Sequence, residues 1–440
     1  MEPTIVGILS IITLLFFLGL GFQIGLNFLI VGMFSTTLII GFQRALGLLG
    51  ETMYYSINTP SFVALPLFVL MGAFAARGGF AEKAYKGIYI ATAGLRGSLA
   101  IATCYSCAAF GAVSGSSLAT SAIFGRIALP EMERYKYSKS LALGSIAAAG
   151  TFAGMIPPSI LFIVYAIFTE QSVGKLFAAG ILPGIITATV YAISIYYRVK
   201  KNPELAPEIE KEKEITVKKK IIALKQTGPI LTLALIVLGG IYSGIFTPTE
   251  AAAAGAFATL IFGIRLGKLG NLKEIKESLR ESAQTTSMIF LIIVGALFFS
   301  RTLALTRIPV KLSMLVMGWN VPRVVILVGI LSVWFMLGMI IIPAGIYALT
   351  LPIVFPIIVG LGYDPIWFGV ITLKLSEIAA VTPPVGLNVY ALKGVAGKNV
   401  SLEEIFTGIW PFVVCDIVVL IFLIIFPEIC LYLPNLLIGK

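Results

Sequence analysis

Long apolar runs separated by short polar turns dominate the pattern of this chain. They include residues 5–20, 229–245, 324–342 and 409–425. A helix that crosses a bilayer needs roughly 20 mostly apolar residues, so this pattern predicts an all-α polytopic membrane protein. The first run follows Glu2, without a basic start or an Ala-x-Ala site, which predicts a retained span rather than a signal peptide.

One long polar stretch, residues 198–226, interrupts the apolar runs with prolines and dense mixed charge. Such a composition predicts a charged cytoplasmic linker or a surface helix. The linker divides the chain into a first membrane half, residues 1–197, and a second membrane half, residues 227–440.

The two halves resemble each other at three anchors in the same order. The anchor pairs lie 222 to 226 residues apart and are Gly72 with Gly295, Pro130 with Pro352, and Pro157 with Pro383. A weak internal repeat in an all-helical membrane chain is typical of secondary transporters.

Basic residues prefer cytoplasmic loops, which sets an orientation for the repeat. With the linker inside, the region near 88–130 enters and leaves on the inner side, and the region near 324–360 does so on the outer side. The sequence therefore predicts inverted-topology repeats with two re-entrant helical hairpins. Four basic residues do not fit this orientation and predict an amphipathic arm: Arg301, Arg307, Lys311 and Arg323.

Glycine, serine and proline at mid-span mark four predicted breaks. The tip of hairpin one carries Ser114, Gly115, Ser116 and Ser117, and the tip of hairpin two carries Pro343 and Gly345. Proline removes a helical hydrogen bond and restricts the residue before it, so the double prolines at 157–158 and 383–384 predict broken helices near 141–168 and 365–393. The alternative is that these small residues only allow close helix packing.

Freed carbonyls and nearby hydroxyls at these breaks predict oxygen-rich sites for a small hard cation such as sodium. The carbonyls are those of Met155, Ile156, Val381 and Thr382, and the side-chain oxygens are those of Ser159, Thr382 and Asn388. Half-helix N-termini at the same place attract an anionic substrate. The candidate substrate-binding residues are Ser117, Ser159, Thr382 and Asn388. Asn388 has the alternative role of bonding a neighbouring helix.

Lys374 and Glu377 are ionisable residues placed three positions apart, just before the second double proline. We expect them to form a mutually neutralising structural pair. The alternative is a functional role, which is the usual interpretation of an ionisable residue inside a span.

Composition excludes several classes of function. The 440 residues are 58% hydrophobic and 12% charged, and the net charge of +11 fits cytoplasmic loops rather than nucleic-acid binding. The chain has no histidine, which removes histidine metal ligands and the usual Ser-His and Cys-His nucleophile pairs, so we do not expect an enzyme. Its four cysteines lie in apolar segments and predict helix packing.

Five segments together resemble the large membrane subunit of tripartite ATP-independent periplasmic (TRAP) transporters: residues 115–132, 150–166, 176–184, 247–256 and 381–390. The resemblance implies an elevator-type transporter in a prokaryotic inner membrane, driven by a sodium gradient and without an organic cofactor. It implies import of organic acids, such as C4-dicarboxylates or sialic acid, delivered by a periplasmic binding protein. It also implies a small four-helix membrane subunit on a separate chain.

The same resemblance implies two sodium sites, each made from one hairpin tip and one broken helix. The first joins the tip at Ser114, Gly115, Ser116 and Ser117 to Met155, Pro157 and Ser159. The second joins Pro343 and Gly345 to Thr382, Pro383 and Gly386. The alternative function is a standalone sodium- or proton-coupled elevator carrier of organic anions that uses no binding protein.

The predicted orientation is testable by labelling single-cysteine variants at Leu205, in the linker, and Leu436, near the C-terminus. Because the linker is expected inside and the termini outside, a membrane-impermeant maleimide applied to intact cells should label position 436 only. Permeabilised cells serve as the control, in which both positions react. Labelling of position 205 alone in intact cells would contradict this orientation.

Overall fold

The computed structural model describes residues 2–58, 60–209, 215–397 and 400–439, and its regular elements within those ranges are all helices. The helices of the first half are α1 (Pro3–Gly19), α2 (Ile24–Ile40), α3 (Phe42–Ile57), α4 (Pro60–Arg77), α5 (Phe80–Thr92), α6 (Ser98–Ser114), α7 (Ser117–Arg134), α8 (Lys139–Ala153), α9 (Ile160–Thr169) and α10 (Val173–Lys201). Those of the second half are α11 (Val217–Leu224), α12 (Gly228–Ala234), α13 (Gly240–Tyr242), α14 (Pro248–Arg265), α15 (Leu272–Thr306), α16 (Ile308–Met317), α17 (Arg323–Gly338), α18 (Pro343–Gly360), α19 (Pro365–Ala379), α20 (Leu387–Ala396), α21 (Leu402–Ile425) and α22 (Glu428–Leu437).

Several helical segments have the length and apolar character of a membrane span. Among the described residues there are five, or six if the helices α4 and α5, bent by 63°, are counted as one. The five are Val173–Lys201, Val217–Tyr242, Leu272–Thr306, Pro343–Gly360 and Leu402–Ile425. The predicted all-α polytopic membrane protein is confirmed.

The helices that carry the three repeat anchors occur in the same order in both halves. Gly72 and Gly295 lie in α4 and α15, and Pro130 and Pro352 lie in α7 and α18. Each double proline follows a buried helix, α8 or α19, and precedes a shorter one, α9 or α20. That the two repeats have opposite orientation in a membrane stays a prediction.

Helices extend into both ends of the predicted linker. α10 continues through Lys201, and helix resumes at Val217, where α11, α12 and α13 form one segment to Tyr242. Three basic side chains occupy the last turn of α10, where the negative end of the helix dipole favours them. Residues 210–214 of the predicted linker lie outside the described residues.

The first parts of the two broken helices form the centre of the molecule. Every residue from Leu141 to Ala153 in α8 is buried, and so is every residue from Ile366 to Ala379 in α19. Glycine lets α8 approach α21 closely, since a Cβ on Gly144 would lie 2.1 Å from the carbonyl oxygen of Gly408. Small residues allow this backbone contact between helices where lipid gives no hydrophobic driving force.

A buried ion pair fixes α19 to its neighbours. The Nζ of Lys374 bonds the Oδ1 of Asp416 in α21 and donates to Thr187 Oγ1 in α10 at 3.2 Å. The Tyr191 hydroxyl, also on α10, donates to the other carboxylate oxygen of Asp416 at 2.6 Å. The expected pairing of Lys374 with Glu377 is wrong, because Lys374 forms its ion pair with Asp416, which is distant in the sequence.

This network predicts a stability change in a single variant. Asp416→Asn should lower the stability of the purified protein by about 3–5 kcal/mol, because it leaves the buried Lys374 ammonium uncompensated. Thermal unfolding in detergent measures the effect, with Glu133→Gln on the exposed end of α7 as the matched control. A Lys374→Met/Asp416→Leu double variant should recover part of the loss. Equal melting of Asp416→Asn and wild type would show that the pair does not hold α19 in place.

Candidate functional site

The turn between α6 and α7 packs directly on the first proline break. Gly115 has φ +60°, a left-handed conformation that glycine adopts freely. A Cβ at this position would lie 2.3 Å from the carbonyl oxygen of Pro158. The amide of Ile160 donates to the Gly115 carbonyl at 3.4 Å. The structure therefore brings together the first predicted tip and the first predicted break.

The serines of this region serve mainly as local caps. Ser116 accepts from the amide of Ala119 at 3.3 Å, and Ser159 accepts from the amide of Phe162 at 3.4 Å. The Ser114 hydroxyl lies 3.1 Å from that of Thr120. An N-cap serine stabilises its helix and still has acceptor capacity on the hydroxyl oxygen. These side chains can therefore contribute oxygen ligands without losing their structural role.

Two helices begin side by side at this place. α7 starts at Ser117 and α9 starts at Ile160, and the hydrogen bond from Ile160 to Gly115 joins the two starts. The N-terminal end of a helix carries roughly half a positive charge and several free N–H groups. Two such ends together form a place where a negatively charged group is stabilised.

A small cavity of about 70 Å³, with polar and apolar side chains in its lining, lies between these helix starts and the helices α4 and α15. Ser114, Ser116 and Ile160 line one side, and Glu281, Ser282 and Thr285 of α15 line the other. Gly72 of α4 also lines it and lets the tip come close, since a Cβ there would lie 2.7 Å from the Ser114 carbonyl oxygen. The volume suits a few water molecules or an ion.

At the second double proline, the hydroxyl of Thr382 is hydrogen-bonded within its own helix, whereas the side chain of Asn388 is not hydrogen-bonded in the described part of the chain. Thr382 donates its hydroxyl to the Ile378 carbonyl at 2.7 Å, and Gly386 adopts φ +66° against the ring of Phe406. The backbone N–H of Asn388 donates to the Ala380 carbonyl oxygen at 3.0 Å. The side chain of Asn388 is fully buried, and neither of its polar atoms has a hydrogen-bond partner in the described part of the chain. A buried side-chain amide without hydrogen bonds destabilises the folded protein unless a ligand binds to it.

The second predicted tip lies at the start of α18. Pro343 and Gly345 occupy its first turn, and a Cβ on Gly345 would lie 2.3 Å from Ile24 Cδ1 in α2. Gly338, at the end of α17, packs against Ala379 just before the second break. A mainly apolar cavity of about 360 Å³ lies between this turn and the helices α1, α2 and α15. The second tip therefore meets the second broken helix through α17, and its surroundings are apolar.

The remaining predicted ligands occupy less open places. The carbonyl oxygen of Met155 faces α10, since a Cβ on Gly180 would lie 2.4 Å from it. Pro157 and Pro383 each precede a second proline through a cis peptide bond. Within the described ranges, no three cysteine or acidic side chains come together as a group that could hold a metal ion.

Sequence reasoning missed the residues of α15 and the acidic partner of Lys374. The run from Glu281 to Ser287 places several polar side chains inside a long apolar helix, which is a signal that was present. Asp416 stands alone in an apolar run near the C-terminus and carried the same signal. Neither the run from Glu281 to Ser287 nor Asp416 lies at a predicted hairpin tip or proline break, the two features on which the sequence prediction relied.

Comparison with known proteins gives a consistent result. The family model described as "Tripartite ATP-independent periplasmic transporter, DctM component" matches residues 11–429. The chain is 36% identical over 375 residues to the C4-dicarboxylate TRAP transporter large permease protein DctM of Pseudomonas aeruginosa. The aligned region covers 85% of this chain and 86% of the relative. It is 28% identical to the ectoine/5-hydroxyectoine TRAP transporter large permease protein UehC of Ruegeria pomeroyi, over 98% of this chain and 99% of the relative.

A solved structure shares the fold. The crystal structure of the YdaH transporter of Alcanivorax borkumensis superposes with a TM-score of 0.64, over 97% of this chain and 98% of that chain, at 13% identity. At this level of identity the similarity establishes the architecture alone.

Proposed function

Because the chain belongs to the DctM component family of tripartite ATP-independent periplasmic transporters, we propose that it imports organic acids into the cell, coupled to a sodium gradient. Large permeases of this family work with a small permease and a periplasmic binding protein, and we propose both as partners on separate chains. The protein is a multi-pass membrane protein, and we propose the inner membrane of a prokaryote as its location.

The observation that carries this proposal is the meeting of two helix starts at a small cavity that serine, threonine and glutamate side chains help to line. The starts of α7 and α9 favour a carboxylate, and the carbonyl and hydroxyl oxygens around them favour a small cation. An anion and a cation therefore stabilise each other when they bind at neighbouring positions. This mutual stabilisation is the physical basis of coupled uptake.

The substrate class is proposed as organic acids such as C4-dicarboxylates or sialic acid. A C4-dicarboxylate permease is among the relatives with the higher identity, which supports an acidic substrate. A permease for ectoine, at lower identity, shares almost the full length of the chain. The cavity of about 70 Å³ is small for such molecules, so we propose that movement of the hairpin tips relative to α4 and α15 enlarges it during transport.

The proposed sodium ligands at the first site are the tip from Ser114 to Ser117 with Met155, Pro157 and Ser159. Those proposed at the second site are Pro343, Gly345, Thr382, Pro383 and Gly386. Direct contact between Gly115 and Pro158 supports the first site more strongly than the contacts of Gly345 support the second. Proposed substrate contacts are Ser117, Ser159, Thr382 and Asn388.

Uptake by proteoliposomes tests the proposal through a Ser116→Ala/Ser117→Ala variant. The vesicles contain the protein and its small subunit, with the binding protein outside and labelled C4-dicarboxylates or sialic acid as probes. Wild type should accumulate a probe only with sodium outside. Loss of two hydroxyl ligands should raise the sodium concentration for half-maximal uptake roughly tenfold, since each hydrogen-bonding group contributes about 0.5–1.5 kcal/mol.

The matched control for this variant is Ser172→Ala, which removes the exposed N-cap of α10 far from the tip. Both changes cost a cap, but only the first should alter the sodium response. Wild-type uptake that is equal in sodium and in choline would refute sodium coupling. An unchanged sodium response in the double variant would leave the tip as a packing element.

Asn388→Ala tests the second break, with Asn27→Ala as the matched control. Asn27 is also a buried amide, but its side chain donates to the Leu14 carbonyl at 2.9 Å. Asn27→Ala should therefore lower the melting temperature, because a buried hydrogen bond of about 1 kcal/mol is lost and an acceptor is left unpaired. Asn388→Ala should keep or raise the melting temperature and lower uptake per folded molecule. Reduced stability with normal uptake would show that Asn388 is structural.

A further inference from the structure

The carboxyl group of Glu377 is buried in the centre of the protein. Its side chain is 1% exposed, in the last turn of α19. Neither carboxylate oxygen has a hydrogen-bond partner among the residues that the structure describes. Burial of an ionised carboxylate is unfavourable by several kcal/mol unless a partner compensates it. A cation bound at the carboxylate would remove this cost.

Glu377 belongs to the second half of the chain but lies against the break of the first half. A Cβ on Gly154 would lie 2.4 Å from its Oε1 and 3.2 Å from its Cδ. The Thr151 carbonyl oxygen lies 3.5 Å from the same Cβ position. The side chain of Ser117, the first residue of α7, lies close to the carboxyl group. Glycine at 154 therefore makes room for this carboxyl near the Thr151 carbonyl and the Ser117 side chain.

The ammonium group of the neighbouring Lys374 forms its hydrogen bonds with groups other than Glu377. Lys374 lies one turn earlier in α19, and its ammonium bonds Asp416 and Thr187. In the described ranges the fully buried charged side chains are Lys374, Asp416 and Glu377. With one positive and two negative groups, this buried cluster has an excess of one negative charge.

Helix ends increase this excess. Gly154 is the residue after the last turn of α8, and Glu377 lies two residues before the end of α19. The C-terminal end of each helix carries roughly half a negative charge, whereas the start of α7, at Ser117, contributes an opposite charge. A carboxylate at two helix C-termini is disfavoured, and a cation at the same place is favoured by the carboxylates and by both helix C-termini.

We propose that Glu377 is a ligand of a sodium ion held between its carboxylate, the Ser117 hydroxyl and the carbonyl groups that end α8. Carboxylate, hydroxyl and carbonyl oxygens are the donors that a hard cation prefers. This inference rests on the proposed sodium coupling and adds a charged ligand from the second half to a site at the first break. Sodium binding then joins the two halves, because each half supplies part of the coordination.

Sodium-dependent thermal stabilisation of the purified full chain tests the proposal without measuring transport. Melting curves are recorded over a range of sodium chloride, with choline chloride holding the ionic strength constant. A ligand that binds only the folded protein raises its melting temperature. Glu377→Gln should raise the half-saturating sodium concentration at least about tenfold, because ligand charge strongly sets cation affinity. Glu377→Asp keeps the charge and should give a smaller increase.

Glu133→Gln, at the exposed end of α7, is the matched control and should titrate like wild type. A wild-type titration curve for Glu377→Gln would overturn the proposal and leave Glu377 as a structural group held by the start of α7. If Glu377→Gln does not fold, the Glu377→Asp variant is used for the test. A half-saturating sodium concentration equal to that of wild type in this variant would also overturn the proposal. Wild type without any sodium response, in melting or in uptake, would instead refute the proposed function.

Discussion

Backbone groups released by the two double prolines need polar partners, and lipid offers none. This constraint explains why both breaks lie deep inside the protein. Helices α8 and α19, which lead into the breaks, are buried along almost their whole length. The other helices surround them and present apolar side chains outward, as along α12, α16 and α17. Irregular backbone at membrane depth is stable only in such a setting.

Close backbone contact is the means by which the break and the tip share one site. Glycine at positions 72, 111, 115 and 150 brings the turn between α6 and α7 against α4, α8 and the Pro158 carbonyl. A methyl group at any of these positions would meet backbone or hydroxyl atoms at 2.7 Å or less. The first site is therefore built from backbone geometry, and its hydroxyls are secondary. The second tip lies beside a mainly apolar cavity to which α1 and α2 contribute.

The buried charged residues of α19 differ in their hydrogen bonding: Lys374 is paired, and Glu377 has no hydrogen-bond partner among the described residues. Lys374, Asp416 and Tyr191 satisfy one another and hold α19 to α10 and α21. Glu377, on the same helix, faces the other half of the chain. The ion pair ties α19 to α10 and α21, and the proposed sodium ligand lies in the last turn of the same helix. Stability and the proposed ion recognition therefore fall to different residues of one helix.

The sequence by itself determined the composition-driven features of this protein. Long apolar runs set the helical membrane class, and the double prolines set where α8 and α19 end, because both effects act locally along the chain. The Ser114 to Ser117 turn was predictable for the same reason. Tertiary structure alone decided which charges meet. Lys374 pairs with Asp416 instead of its sequence neighbour, and Glu377 reaches Gly154 from the other half. Such contacts depend on how helices distant in sequence pack, which no local pattern encodes.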